Sequence, residues 1–414
     1  MTARSYRAGH RPTPGLRELA RRVDARTPPD RDRAVDALRA LAILGVILGH
    51  WLVSAVVETG RGSLRGASPL QYMPWLAPLS WIFQTLAVFF LVGGYVAAKG
   101  HQAARRRGVG YGRWLGGRLA RLFRPVVVIL GVWAVTAVVM LLSGTSLDTV
   151  RTLVTLVVSP LWFLLVFASL TALTPMVLRV GPLWPLAVVA AVDLVRFGLG
   201  GPAWLGWVNV VAGWLVPYAL GAAWARGRFD TRRSGPLLII GGVAAAGLVV
   251  WGGYPASMVG VPGAPVSNLN PPTLAAVAFG LAQCGLALLL REPLRRMTAR
   301  PMIWAAVAAA NLSAMTIFLW HQTAMLAVTA VGLLSGPLPG LHTSPDDLGW
   351  VVARLGWLPV FAIALAVCQA AFGAAGRGRA VHPSIRPSVH PSIRPSVHPS
   401  KSGARSARDE PPHA

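Results

Sequence analysis

Long apolar runs, separated by short gaps rich in arginine, constrain this chain most strongly. A helix needs about 20 residues to cross a hydrocarbon core that is about 30 Å thick. Ten runs approach that length, at about 40–58, 80–98, 124–143, 154–178, 183–199, 206–225, 236–252, 272–290, 304–333 and 349–372. The pattern predicts an all-α, polytopic bundle of about ten transmembrane helices in a lipid bilayer.

The charged residues lie in the gaps between these runs. Lys and Arg number 39 against 14 Asp and Glu, yet only 13% of residues are charged and 54% are hydrophobic. This composition excludes a soluble globular enzyme and a disordered basic chain, and charge confined to gaps makes a nucleic-acid partner unexpected. Cytoplasmic loops collect Lys and Arg. The basic gaps 99–124, 226–233 and 291–300 alternate with poorly charged gaps, so both termini are predicted to be cytoplasmic.

The sequence divides into three parts. Residues 1–37 form a polar, Arg-rich extension, and no cleaved signal peptide is expected because the first apolar run begins behind it. Residues 38–373 form the transmembrane domain. Residues 374–414 contain VHPSIRPS repeats in which Pro recurs at every fourth position, which predicts a disordered cytoplasmic tail. Histidines recur in that tail and the chain has two cysteines, but no spacing favours a metal site or a disulfide.

The first apolar run carries the sharpest pair of candidate residues. Arg39 and His50 are eleven positions apart in RAVDALRALAILGVILGHW. At 100° per residue they fall within about 20° of each other, separated by roughly 16 Å along the helix. Ionisable groups at membrane depth are costly, which favours a functional role. The alternative is a packing histidine and an arginine that only anchors the topology.

A basic segment precedes the third run. Arg118 and Arg121 are i, i+3 neighbours, and Arg124 precedes Pro125. The three arginines suit two interpretations, a topological anchor or a clamp for the phosphates of a molecule such as coenzyme A.

Four other residues are possible additional site residues. His321 lies inside the ninth run, and packing and function are equally open for it. Asp193, Tyr95 and Trp162 also lie in apolar runs, where packing is the favoured interpretation. Asp193 has Arg196 as an i, i+3 partner that would neutralise it.

Six fragments, taken in order, resemble the integral-membrane acyltransferase-3 family, which includes bacterial surface-glycan O-acetylases and macrolide acyltransferases. They are the Arg-x10-His helix, FFLVGGY (89–95), RLARLFRP (118–125), PLWFL (160–164), SNLNPPT (267–273) and MTIFLWH (315–321). The resemblance covers about 33–372. It implies a multi-pass protein of the bacterial plasma membrane that moves an acyl group, often acetyl, from acyl-CoA to a hydroxyl of a glycan or small molecule. Acyl-CoA is then a donor substrate and no cofactor is permanently bound. The family's functional residues map onto Arg39, His50, Arg118 and Arg121.

Two hypotheses follow for the function. In the first, the chain is an O-acyltransferase in which arginines hold the CoA phosphates and His50 acts as general base, as an imidazole with a reference pKa near 6.5 can. In the second, the chain is a transporter or flippase in which His50, His321 and Asp193 relay protons. A non-catalytic scaffold is disfavoured because it leaves these groups unexplained.

Overall fold

The computed structural model describes residues 15–59 and 63–376, and its architecture is a bundle of α-helices. The main helices are α1 Leu16–Ala25, α2 Arg33–Val53, α3 Leu86–Arg106, α4 Tyr111–Leu142, α5 Leu147–Val158, α6 Trp162–Ala172, α7 Leu183–Asp193, α8 Val208–Ala225, α9 Ser234–Val250, α10 Leu274–Leu289, α11 Arg291–Met297, α12 Pro301–Gly332 and α13 Leu348–Gly376. The predicted repeat tail from residue 377 onward lies outside the described residues.

Local sequence signals set the helix ends. Helix α2 begins where the Asp32 carboxylate accepts a hydrogen bond from Val35 N, and α10 begins where Thr273 Oγ1 accepts one from Ala276 N. Helix α3 ends before Gly108, whose φ of +68° reverses the chain at little cost because glycine has no Cβ. These caps determine where the ends of α2, α3 and α10 lie.

Eight helical segments in the described part of the chain are long and apolar enough to cross a membrane. A ninth would be the pair α10 and α11, which is bent by 45° at a short break. The predicted run 183–199 forms α7 and one π-turn, Leu194–Gly198, which together are shorter than a full span. The all-α polytopic class is therefore confirmed, while ten crossings and cytoplasmic termini stay predictions.

Several helices differ from the apolar runs in their bounds. Helix α2 starts at Arg33 rather than near residue 40, and α4 starts at Tyr111 rather than near 124. Both helices continue through charged residues because backbone hydrogen bonds do not require an apolar side chain. The run 154–178 is divided at Pro160, which has no N–H to continue a helix from the preceding turn.

Several small elements were not predicted, including helix α1, a hairpin and the short helix Pro69–Tyr72. Helix α1 lies in the polar extension and packs against α12, where Trp304 Nε1 donates to Thr27 Oγ1 at 2.7 Å. A two-stranded antiparallel hairpin, Ala55–Thr59 with Ser63–Ala67, follows α2.

The gaps assigned to one side of the membrane contact each other. At the basic end, Arg291 Nη2 lies 2.9 Å from an oxygen of Asp32, which links the gap before α2 to the gap after α10. At the opposite end, Leu64 N of the hairpin donates to Thr149 Oγ1 at 3.0 Å, and Gln71 Nε2 donates to Pro262 O at 3.0 Å. These contacts group the gaps before α2 and after α10, and separately the segments after α2, at the start of α5 and after α9.

Close packing of α3 against α8 fixes the wall of the bundle interior. A Cβ at Gly94 would overlap the carbonyl oxygen of Tyr218, and a Cβ at Gly221 would overlap that of Leu91. Small residues let two backbones approach this closely. The opposite side of α3, with Val92, Gly93 and Val96, is left facing the interior cavities described next.

Candidate active site

Helix α2 carries Arg39 and His50 to two different depths of the bundle. Arg39 Nη2 donates to Asn311 O of α12 at 3.2 Å, and its buried Nε has no partner among the described residues. His50 lies in the last turn of the helix, half-buried. Because they are eleven positions apart, the two side chains are separated by roughly 16 Å along the axis.

An inner cavity of about 260 Å³ lies where α2 and α4 meet, and it is lined by Arg39, Arg118 and Arg121. We call these three residues the arginine mouth. Arg118 Nη2 donates to Val96 O at 3.2 Å, and its guanidinium lies 5.0 Å from the ring centre of Trp114. Arg121 is exposed and its Nε donates to Gly117 O at 3.0 Å. Most of their N–H groups are therefore not committed to protein acceptors.

A middle cavity of about 200 Å³ continues from the inner one, since Arg39 and Arg118 line both. The rest of its wall is mainly apolar and includes Ile43, Phe89 and Leu122. A positively charged opening thus leads into an apolar channel.

An outer cavity of about 430 Å³ contains His50. Phe163 and Phe318 line both this cavity and the middle one, and their ring centres are 5.5 Å apart. We call these two rings the phenylalanine partition. His50 is therefore separated from the arginine mouth by the middle cavity and this one layer of side chains.

His321 lies directly beside His50. The ring centres are 5.1 Å apart with an interplanar angle of 47°. His321 is only 1% exposed, its Nδ1 lies 2.5 Å from Phe318 O, and its buried Nε2 has no partner in the described part of the chain. The structure thus groups His321 with His50, which sequence reasoning left open.

Trp162 lines the same cavity as His50, whereas Arg124, Tyr95 and Asp193 line none of the three cavities. Trp162 is half-buried and lines the outer cavity. Arg124 is exposed and lines none of the three cavities, because six residues rotate it about 120° away from Arg118. Tyr95 packs on Trp224 with ring centres 4.3 Å apart, on another side of α3.

Asp193 belongs to a separate cluster with a structural arrangement. Its carboxylate accepts hydrogen bonds from Asn209 Nδ2 at 2.9 Å, from Tyr254 Oη at 3.1 Å and from Leu274 N at 2.6 Å, at the start of α10. Burial, together with the negative charge of Asp193, raises the pKa of the Tyr254 phenol. These bonds account for the buried carboxylate without a catalytic role.

Sequence reasoning missed three polar residues around the site. Gln84 and Gln322 line the outer cavity. Arg354 is 1% exposed and donates to Trp51 O at 2.7 Å and to Ser54 O at 2.6 Å, at the end of the helix that carries His50. Arg354 is the only charged residue within the predicted run 349–372, so the rule that flagged other ionisable groups at membrane depth could have found it.

The comparisons with known proteins complete this description. In the described part of the chain, no group of three or more His, Cys, Asp and Glu side chains is placed to hold a metal ion. Neither curated proteins nor solved structures gave a match. The family model Acyl_transf_3, described as an acyltransferase domain, matches residues 32–373, which include every residue of the arginine mouth and both histidines. The chain therefore belongs to the Acyl_transf_3 family and is a membrane acyltransferase.

Proposed function

We propose that this protein is an O-acyltransferase that moves an acyl group, acetyl in the simplest case, from acyl-CoA to a hydroxyl of a cell-surface glycan or a small molecule. Its expected location is the bacterial plasma membrane. The observation that carries the proposal is the series of three cavities between the arginine mouth and His50. A CoA-dependent transferase requires a phosphate-binding site at one end of such a series of cavities and a base for the acceptor hydroxyl at the other end.

The arginine mouth suits the phosphate groups of the donor. Guanidinium groups present several N–H donors in a plane and bind phosphate oxygens in pairs. Arg118 and Arg121 lie one helical turn apart on α4, and Arg39 faces the same cavity from α2. The narrow pantetheine arm would then extend through the middle cavity, whose wall is mainly apolar.

In this proposal His50 acts on the acceptor. The acceptor hydroxyl would bind in the outer cavity and attack the thioester carbonyl carbon while an imidazole nitrogen of His50 takes the hydroxyl proton. The C–S bond then breaks, the ester is left on the acceptor oxygen, and the imidazolium returns its proton to the CoA thiolate. Because the phenylalanine partition lies between donor and acceptor cavities, the thioester must pass these two rings, and enclosure there brings both reactants together.

The test compares two histidine variants with radiolabelled acetyl-CoA. His50→Ala should lower acceptor-dependent CoA release by about 10²- to 10⁴-fold, the usual contribution of a general base. The matched control is His342→Ala, since His342 is a second histidine inside the protein whose ring nitrogens both bond to backbone, at Thr329 O and Leu338 N.

Normal transfer by His50→Ala protein would remove His50 from the mechanism. The same preparations, reconstituted in vesicles, distinguish a transporter. Uptake of a solute or flipping of a lipid without consumption of acetyl-CoA would contradict the transferase proposal.

A further inference from the structure

The described residues that line the outer cavity include no charged side chain. Among them His50 is the one titratable residue, and no Asp, Glu, Lys or Arg is present. A cavity that binds a carboxylate, phosphate or ammonium group usually presents a partner of opposite charge, because a desolvated ion without one costs several kcal/mol. The wall is therefore unsuited to an ionic acceptor.

The buried charge at the end of α2 is already bonded to the protein. Arg354 lies behind the wall formed by the end of α2. Its guanidinium donates to the carbonyl oxygens of Trp51 and Ser54, and also to Gly340 O at 2.8 Å. These carbonyls take up its N–H groups, so Arg354 does not provide a binding group for an anion in the cavity.

Two buried amides in the wall have free acceptors. Gln84 is 5% exposed and Gln322 is 1% exposed, and the Oε1 atom of each has no hydrogen-bond partner among the described residues. Buried polar atoms are normally paired, and an unpaired one is costly. Both residues line the outer cavity, so a hydroxyl or amide N–H donor of a bound molecule is the partner that we expect for each oxygen.

Five other polar but uncharged residues also line the cavity, Ser54, Ser68, Thr85, Ser159 and Asn270. The remainder of the wall is apolar and partly aromatic. Trp162, Phe163 and Phe318 contribute ring surfaces, with the half-buried Trp162 ring 6.3 Å from that of Trp214. Such surfaces bind the apolar face of a ligand. A volume of about 430 Å³ is within the range of sites for molecules of drug size.

We infer that the acceptor is an electrically neutral compound that combines the reacting hydroxyl with at least one further hydrogen-bond donor and an apolar face. This inference rests on the proposed transferase function. It follows from the juxtaposition of His50 with an uncharged wall, two unpaired buried amide oxygens and a set of aromatic rings. Acceptors with a carboxylate or phosphate near the reacting hydroxyl are excluded.

The experiment uses the full-length purified protein, acetyl-CoA and pairs of acceptors that differ mainly in charge. One pair is phenyl β-glucoside and phenyl β-glucuronide, and the other is 4-(hydroxymethyl)benzamide and 4-(hydroxymethyl)benzoate. Ester formation is measured by mass spectrometry. The neutral member should have a kcat/KM greater by about tenfold or more, since the charged member pays for an unpaired charge.

Variants test the two amides separately. Gln84→Ala and Gln322→Ala should each raise KM for the neutral acceptor by about threefold to tenfold, as expected for one hydrogen bond. KM for acetyl-CoA should not change. Gln369→Ala is the matched control, since Gln369 lies outside the three cavities and its Nε2 donates to Ser313 Oγ.

Equal or better transfer to the charged members would overturn the inference and leave the transferase function intact. An unchanged KM for the neutral acceptor in both glutamine variants would also overturn it. Acetyl-CoA left unconsumed with all four compounds would count against the transferase function itself.

Discussion

His321 presents an unprotonated ring nitrogen beside His50. Its Nδ1 lies 2.5 Å from Phe318 O, and because a carbonyl oxygen can only accept, Nδ1 must carry the hydrogen. In a neutral ring the lone pair is then on Nε2, which is buried and has no partner among the described residues. The His50 ring centre lies 5.1 Å from that of His321, and we expect the His50 ring to donate a hydrogen bond to this nitrogen during catalysis. We therefore treat His321 as a positioning residue for His50.

Replacing His321 should lower the rate of transfer more than the binding of either substrate. His321→Ala removes the acceptor that would orient His50 and stabilise its protonated form, so kcat should fall by about tenfold to a hundredfold, the range for a hydrogen bond to a charged group. KM for acetyl-CoA should stay the same. His321→Gln keeps an acceptor oxygen on the side chain and should recover part of the rate. The measurement is steady-state kinetics on purified protein.

If His321 only filled space, the glutamine variant would give no recovery beyond that of alanine, and KM and kcat would change together. The His342→Ala protein controls for loss of a buried imidazole, since His342 lies in the segment after α12 and bonds only to backbone atoms.

The arginine mouth should control donor affinity. Arg39→Ala and Arg118→Ala each remove a guanidinium that lines both the inner and the middle cavity. KM for acetyl-CoA should rise by about tenfold to a hundredfold if each makes a charged hydrogen bond to phosphate. The difference in KM between variant and wild type should be smaller at high ionic strength, because salt weakens the exposed phosphate contacts of the wild type.

Arg124→Ala is the matched control for this series. It removes the same charge from the same helix, but Arg124 is exposed and lies outside the three cavities. An equal rise in KM in the Arg124 variant would mean that general positive potential, rather than a defined phosphate site, attracts the donor.

The sequence predicted the parts of the site that depend on one helix. Arg39 and His50 follow from the periodicity of α2, and Arg118 with Arg121 from that of α4. It did not predict which helices face each other, because apolar runs look alike on all sides. The pairing of His50 with His321, and the exclusion of Arg124 and Tyr95, are consequences of that packing.

The contacts of charged and polar side chains were equally hard to predict from the sequence. Hydropathy locates α13, but only the three-dimensional structure shows that Arg354 bonds to the end of α2. Likewise, Gln84 and Gln322 are ordinary polar residues in the sequence. Their unpaired oxygens become visible only when every neighbouring donor has been placed.

Close packing of α3 and α8 gives a prediction about stability. A Cβ at Gly94 would overlap the carbonyl oxygen of Tyr218, and backbone atoms cannot move aside as a flexible side chain can. Gly94→Ala should therefore destabilise the protein by about 1–3 kcal/mol, as overpacking does. The melting temperature of the purified protein should fall accordingly.

Gly117→Ala is the control for that substitution. Nothing lies within 4 Å of a Cβ at Gly117, so alanine should only improve helix propensity there, by up to about 1 kcal/mol. Equal melting temperatures for the two variants would show that α3 and α8 are not in close contact.

The phenylalanine partition should limit the length of the acyl group. Phe318 lies between the middle and outer cavities, and its side chain is separate from the carbonyl that bonds to His321. Phe318→Ala, or the milder Phe318→Leu, should let a longer chain lie near His50 without disturbing that bond. Each buried methylene contributes about 0.8 kcal/mol, so the two extra methylenes of butyryl-CoA should raise its preference over acetyl-CoA by up to about fifteenfold. Phe372→Ala is the control, because Phe372 stacks on Trp320 with ring centres 3.8 Å apart and lines none of the cavities. The ratio of kcat/KM for the two donors is the measurement.

If that ratio stays at the wild-type value in both Phe318 variants, the thioester does not pass between Phe163 and Phe318 on its way to His50.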